Sequence, residues 1–424
     1  MNMVQVVIKQ LWSERRQTVW LLLELTVVFL FLLMEVDFSW IKLKNYMEPR
    51  GFDVTNTYQL KLKRLAPGAI GYRPADELEQ TESEMLEQLV GQVRLYPDVE
   101  EVGISTSASP VAGGGWWTTV FRRDSLGQAN LQGRAVDEGY LRVFRLCDHN
   151  GKLLDLREAD RSRLLVSRLA CDQFGYASVA DVPGDTLYMD TGNDVREPYP
   201  AFGVFMDLKS RPFRPYQASF FLLMSRQEWN ERLQQNQAQR MELWVRVREG
   251  SDVHFREYFE REMAERLWAG QIYVSSIISM EDEVAKGIDT EMKQNVEPMM
   301  YVLLFVLLTA FLGVFGTFWL RTRLRRSEIG IRMVMGASRS AIGKLFFLEG
   351  LCLTSVAVFP ALLIYVNLLR AEILNVYDLP YTGGRVLLVA VVSLFILQTM
   401  IFTGIWFPAR KASRLRPTDA LHYE

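Results

Sequence analysis

Two carboxylates stand where carboxylates are costly. Glu24 lies about six residues into one apolar run and Glu349 about five into another. A charge in the middle of a bilayer costs roughly 2–4 kcal/mol, and less near the headgroups. Each group therefore snorkels or pairs with a nearby Arg or Lys, or else handles a proton or a substrate; both readings stay open. Glu35 and Asp37 fall near the far mouth of the first run and need no special role. The remaining reactive residues are scattered. His149, His254 and His422 lack ligand spacing, which argues against a metal site. Asp155/Glu158 and Glu281/Asp282/Glu283 read as solvated helix ends rather than acid–base pairs. Gly336 to Lys344 is the nearest approach to a phosphate loop, with the wrong spacing and Leu345 after it. No G-x-S-x-G, H-E-x-x-H or C-x-x-C occurs. The reading has no catalytic, cofactor-binding or metal-binding residue, so the energy for any work must come from a partner.

One stretch is patterned densely enough to carry an interaction. "RRSEIGIRMVMGASRSAIGKLFFLEG", Arg325–Gly350, begins with charge, turns amphipathic, breaks at Gly336 and dissolves into apolar sequence. Ile329, Met333 and Gly336 recur at helical spacing, and Glu328 and Arg332 stand four apart on another face. Gly336 can end this helix and Ser338 can cap the next. An amphipathic helix in the headgroup layer is one reading. The sharper one is a docking helix, its oily side in a groove on a cytoplasmic partner and its charges setting register.

The elements that hold these residues follow from hydropathy. Of 424 residues, four windows are apolar for about the length that crosses ~30 Å of hydrocarbon. They are residues 18–40, 299–320, 345–369 and 386–407, with 41–297 as ordinary mixed sequence. The expected fold is an integral membrane protein of four transmembrane α-helices, one plus three, with a large α+β extracytoplasmic domain between the first and second. No small-x-small cleavage site follows the first run, which reads as a retained anchor. Basic residues concentrate in 1–17, in 321–344 and in the tail 408–424, while the large domain carries more acids than bases. The positive-inside rule then places both termini and 321–344 in the cytoplasm. Cys147 and Cys171 share the outer domain and are either a disulfide or two small core residues; Cys352 lies in the third span.

Within 41–297, two strand–helix–strand units, 55–107 and 241–279, suggest a split βαβ core. Helices are expected over Asp76–Leu95 and Val253–Leu267. The insert 108–240 reads as strands, including "NLQGRAVDEGYLRVF" and "RLLVSRLACDQFG", separated by turn signals. "GGGWW", Gly113–Trp117, either grips an apolar partner or packs under a loop. Residues 40–47 and 280–296 have helical composition, so both crossings are expected to extend outward as a stalk.

These words resemble the permease subunits of the MacB/FtsX/LolC-type ABC transporters. "EIGIRMVMGAS" resembles the family's coupling segment, here Glu328, Ile329, Gly330, Ile331, Arg332, Met333, Met335, Gly336, Ala337 and Ser338, followed by "FFLEG". "PARKASRLRPTDALHYE" resembles the closing motif, with Pro408, Ala409, Arg410 and Pro417. In the outer domain, "LLVSRLACDQFG" and "YPAFGVFMDLK" are similar to parts of the family's MacB-like periplasmic domain. The resemblance implies a permease subunit of a bacterial inner membrane that binds a cytoplasmic ABC ATPase and no nucleotide itself, ATP and Mg acting through that partner. It implies a second permease copy, homo- or heterodimeric, and export by mechanotransmission with a periplasmic adaptor and an outer-membrane duct. An FtsX-like regulator of cell-wall hydrolases and a LolC-like lipoprotein-releasing subunit are the alternatives. Because only residues 1–17 precede the first span, the ATPase is expected on a separate chain. Membrane lipids are expected neighbours and nucleic acid is not. Glu24 departs from common members.

Overall fold

The computed structural model describes residues 5, 9, 11–13, 15–73, 77, 80–111, 114–122, 127–154, 156, 162–190, 192, 195–234 and 241–413. The chain forms two compact units, a membrane unit of Met1–Lys44 with Glu291–Glu424 and an α+β unit of Asn45–Thr290. In chain order, α1 (Arg15–Met47) precedes β1 (Thr57–Arg64), α2 (Glu82–Arg94), β2 (Val99–Thr106), β3 (Trp116–Arg122), β4 (Gln128–Val136) and α3 (Glu138–Val143). Next come β5 (Arg163–Ser167), α4 (Arg168–Gln173), β6 (Thr186–Asp190), β7 (Arg196–Phe205), β8 (Ser219–Leu223) and α5 (Arg226–Gln234). Then follow β9 (Met241–Val247), α6 (Asp252–Arg266), β10 (Trp268–Ala269), β11 (Ile272–Ser279) and α7 (Met280–Glu291). A π-helical turn, Met292–Val296, leads into α8 (Glu297–Leu324), α9 (Arg326–Val334), α10 (Arg339–Arg370) and α11 (Gly383–Ser413).

The strands join in one sheet ordered β10-β11-β1-β9-β2-β4-β3-β6-β7-β5-β8. Strands β11, β1, β9 and β2 run antiparallel, so the two strand–helix–strand units interleave. Alternation along β9 divides its side chains. Met241, Leu243, Val245 and Val247 enter the core under α2 and α6, with Leu89 and Phe259, while Trp244 joins a second core on the other face. At the far end, β4 also pairs with β8 and closes β4-β3-β6-β7-β5-β8 into a six-stranded barrel. Closure removes the exposed edges, and Leu131, Val166, Phe220 and Leu222 fill the interior.

Three expectations change here. "NLQGRAVDEGYLRVF" is strand only to Val136, because the Asp137 side chain accepts from the Tyr140 N–H and starts α3. "RLLVSRLACDQFG" likewise stops being strand at Ser167, whose hydroxyl caps α4. A polar residue with an N-cap geometry ends each run of strand-like sequence. The described part of the helix expected from Asp76 begins at Glu82, behind a capping box of Thr81 and Glu84; Asp76 and Leu78 lie outside the described residues. Cys147, Cys171 and Cys352 are all free thiols, with Cys171 inside the barrel core.

In the membrane unit, Thr18–Met47, Met280–Leu324, Arg339–Arg370 and Gly383–Lys411 are long and apolar enough to cross a membrane. Their shared interior holds Phe29, Leu32, Val314, Leu353, Tyr365 and Leu397, while large apolar residues such as Trp20, Phe305, Phe359 and Phe395 point outward. Helices that are apolar on the outside as well as the inside suit a hydrocarbon solvent.

Candidate functional site: the elbow between the second and third spans

The chain turns sharply at Arg325. Its backbone leaves the helical range (φ −97°, ψ 17°), so the residue ends α8 and begins α9 at once. α9 runs nine residues to Val334, with Met335 as its C-cap, and is closed by Gly336, which takes φ +95°. The Ala337 N–H donates to the Arg332 carbonyl at 2.9 Å and the Gly336 N–H to that of Met333 at 3.0 Å, a Schellman closure. The Ser338 hydroxyl then accepts from the Ala341 N–H at 3.2 Å and opens α10. Only glycine adopts this left-handed turn freely. Gly336→Ala should therefore loosen α9 by about 1–2 kcal/mol, seen as faster amide exchange over 329–335 with α10 unchanged.

The two sides of α9 have different neighbours. Ile329 is 5% exposed and belongs to the bundle core with Ile342 and Ala409, and Met333 packs against that core. The stripe expected to enter a partner is thus occupied within the chain's own bundle. The apolar residues left outside are Ile331, Val334 and Met335, at 55%, 60% and 83% exposure. Gly330 is buried, Ala337 is half-buried and Ser338 is exposed. Glu328 and Arg332 form an i,i+4 ion pair at 2.5 Å.

Behind the elbow lies Glu349, 2% exposed. One of its oxygens accepts from Arg321 and the other from Arg325 Nη1 at 3.0 Å. Arg321 Nη2 also donates to Thr18 Oγ1 at 3.2 Å. One carboxylate thus holds the last turn of α8 and the elbow residue itself against α10, and Arg321 brings in α1. Of the readings left open for Glu349, pairing is the one observed. Glu24 is half-buried, accepts no hydrogen bond from a described residue, and lies against Gly313 of α8, where a side chain would collide with it.

A second buried pair sits at the other end of the bundle. Arg385 of α11 grips Asp37 of α1 with both prongs, Nε to Oδ1 and Nη2 to Oδ2, each at 2.7 Å. The same guanidinium donates to the Asn375 carbonyl at 3.0 Å and to that of Leu379. Sequence reasoning gave Asp37 no role. The available signal was that Asp37 and Arg385 are opposite charges flanking apolar runs at matching depth.

The tail motif closes the same end as the elbow. Pro408 and Ala409 are buried within α11, and Arg410 lies over the Trp406 ring at 5.2 Å. Lys411 and Arg323 both face the Trp319 ring, at 4.3 and 5.5 Å, and Trp319 stacks on Phe407. Such a layer of indoles and cations is what a membrane–water boundary favours. Pro417 lies outside the described residues. Among the described residues no group of His, Cys, Asp and Glu is arranged to hold a metal ion.

Residues 300–417, which include the elbow, Glu349 and Arg385 but not Thr18, Glu24 or Asp37 of α1, match the FtsX-like permease C-terminal family model. The macrolide export ATP-binding/permease protein MacB of Salmonella paratyphi A is 34% identical over 118 residues, 27% of this chain and 17% of that protein. The pyoverdine export ATP-binding/permease protein PvdT of Pseudomonas entomophila is 35% identical over 125 residues, 28% of this chain and 17% of that protein. The matched stretch is therefore about a sixth of either relative's length. Among solved structures, the extracellular domain of the ABC-type transporter YknZ from Gram-positive bacteria aligns with 51% of this chain and all of its own, at 14% identity and a TM-score of 0.30.

Proposed function

We propose that the chain is a multi-pass inner-membrane ABC permease of the FtsX/MacB type, that α9 docks an ATPase and that ATP hydrolysis there moves the α+β unit; the family match, the export relatives and the four apolar helices support this reading. One observation carries this reading: Ile331, Val334 and Met335 stay exposed on a short helix whose other side is buried in the bundle. Single exposed apolar residues are ordinary, but a cluster on a helix tip next to a fixed ion pair is a surface for a partner. The Glu328–Arg332 pair would set the register of docking. On this reading α9 and both termini are cytoplasmic and the α+β unit is periplasmic. ATP and Mg stay with the ATPase, and a second permease completes the transporter. Motion reaches the α+β unit along α1 and along the helical run from α7 to α8, and the output is export by mechanotransmission, with a periplasmic adaptor and an outer-membrane duct as outer partners.

The test is Met335→Glu in the full chain, co-expressed with its ATPase. Binding of the ATPase should weaken by about tenfold or more, while Met335→Leu binds as the parent does. If Met335→Glu retains the ATPase and changes only adsorption to anionic vesicles, α9 is a lipid-surface helix and the docking assignment is wrong.

A further inference from the structure

We propose that Arg134 anchors an oxyanion site on the outer wall of the six-stranded barrel. It would take the carboxylate or phosphate group of a ligand whose apolar part rests on Trp117. Along β4, Ala129, Leu131 and Ala135 point into the barrel core, so Gln132 and Arg134 stand on its outside. Arg134 is nevertheless only 2% exposed. Its Nη2 donates to Gln132 Oε1 at 3.2 Å and to Ser210 Oγ at 2.8 Å, both neutral acceptors. Its Nε is buried without an acceptor, and no carboxylate among the described residues pairs with it.

The same unit contains a buried arginine that is fully provided for. Arg246, 1% exposed, donates to the carbonyls of Val143, Thr55 and Asp53 and pairs with the Asp53 carboxylate at 3.3 Å. A guanidinium withdrawn from water without a counter-charge is strongly disfavoured. An oxyanion bound at Arg134 would offset that cost through charge-assisted bonds.

The surroundings fit a ligand. Trp116 pairs with Gly133 and Trp117 with Gln132, which puts Gly115 next to Arg134. Gly115 adopts φ +116°, and a Cβ there would lie 3.3 Å from Arg134 Cγ. Gln132 Nε2 holds the Gly114 carbonyl at 2.9 Å, so bare backbone lies over the arginine stem. Trp116 turns inward onto Phe220, but Trp117 is 53% exposed on the face shared with Gln132 and Arg134. Of the two tryptophans in "GGGWW", Trp116 is packed against Phe220 and Trp117 is exposed.

The probes are inorganic phosphate and acetate, added at constant ionic strength to the full chain in maltoside micelles. Binding is read from phosphorus and carbon NMR line broadening. Saturable broadening of phosphate, acetate or both is expected, and the responding probe identifies the oxyanion class. Arg134→Gln should weaken it by about tenfold or more, whereas Arg122→Gln, which alters an arginine already paired with Asp185, should not. If Arg134→Gln does not fold, Ser210→Ala serves instead and should weaken binding several-fold. No saturable broadening in the parent, or equal broadening in the folded Arg134 or Ser210 variant, overturns the proposal. None of these outcomes depends on an ATPase.

Discussion

Glu349→Ala should destabilise the membrane unit by about 3–5 kcal/mol, because it leaves two buried arginines facing each other without the carboxylate between them. Arg321 and Arg325 are 2% and 8% exposed, too deep for water to replace the lost acceptor. Glu349→Gln keeps the shape and one acceptor oxygen, and should fall between alanine and the parent. Removing all three charges with Glu349→Leu, Arg321→Leu and Arg325→Leu should recover much of the loss, since apolar groups of similar volume do not need each other. Denaturant unfolding of the purified chain in micelles measures the series. The comparison variant is Glu283→Ala, which removes an exposed i,i+3 pair with Lys286 and should cost no more than about 1 kcal/mol. If Glu349→Ala is as mild as Glu283→Ala, the elbow is not held by this carboxylate. The triple variant has a second use. It restores stability without restoring the clamp on Arg325, so a chain that is folded yet no longer responds to the ATPase proposed to dock on α9 would place transmission in the clamp itself.

Why Glu349 was legible only in part is a matter of distance. Hydropathy identified the run around it, and its cost implied a partner. The partners lie 24 and 28 residues earlier, across a turn whose direction depends on Arg325 leaving helical geometry. The punctuation within the segment was easier, since Gly336 and Ser338 do their work through bonds to residues three to five positions away. Which face of α9 turns inward was not local information. Spacing gave Ile329 and Met333 as one stripe, but only the packing of α10 and α11 decides that this stripe is covered and that Ile331, Val334 and Met335 are not.

The α+β unit divides in the same way. Alternation in "MELWVRV" and the two strand–helix–strand patterns suffice for the interleaved sheet, because each strand needs one buried face. Barrel closure is different, since it rests on a parallel pairing between β4 and β8, whose residues are far apart in sequence and carry no pattern that names each other. The short helices α3 and α4 were hidden for a more local reason. Both helices start within two residues of a strand's end, and the signals that start them are the caps Asp137 and Ser167.

The Asp37–Arg385 pair should be the other place where one substitution does large damage. Thr18 and Asp37 are nineteen residues apart on α1, about 28 Å at the helical rise, so the two buried clusters stand roughly a hydrocarbon thickness apart. Asp37→Leu leaves the Arg385 guanidinium inside the bundle with two carbonyls and no carboxylate, and should cost about 3–5 kcal/mol. Arg385→Lys should cost nearly as much, because an ammonium cannot offer the parallel fork that meets both Asp37 oxygens at 2.7 Å. Exchanging the two charges should not rescue the chain. An aspartate at 385 has no N–H for the carbonyls of Asn375 and Leu379, which the arginine now gathers. The damage should also be visible locally, as faster amide exchange through residues 371–382 while α9 keeps its protection. A double-mutant cycle on Asp37 and Arg385 decides the matter. A coupling energy near zero would mean that the connection between α10 and α11 is held by packing alone, and a coupling above about 1.5 kcal/mol would mean that this arginine fastens it.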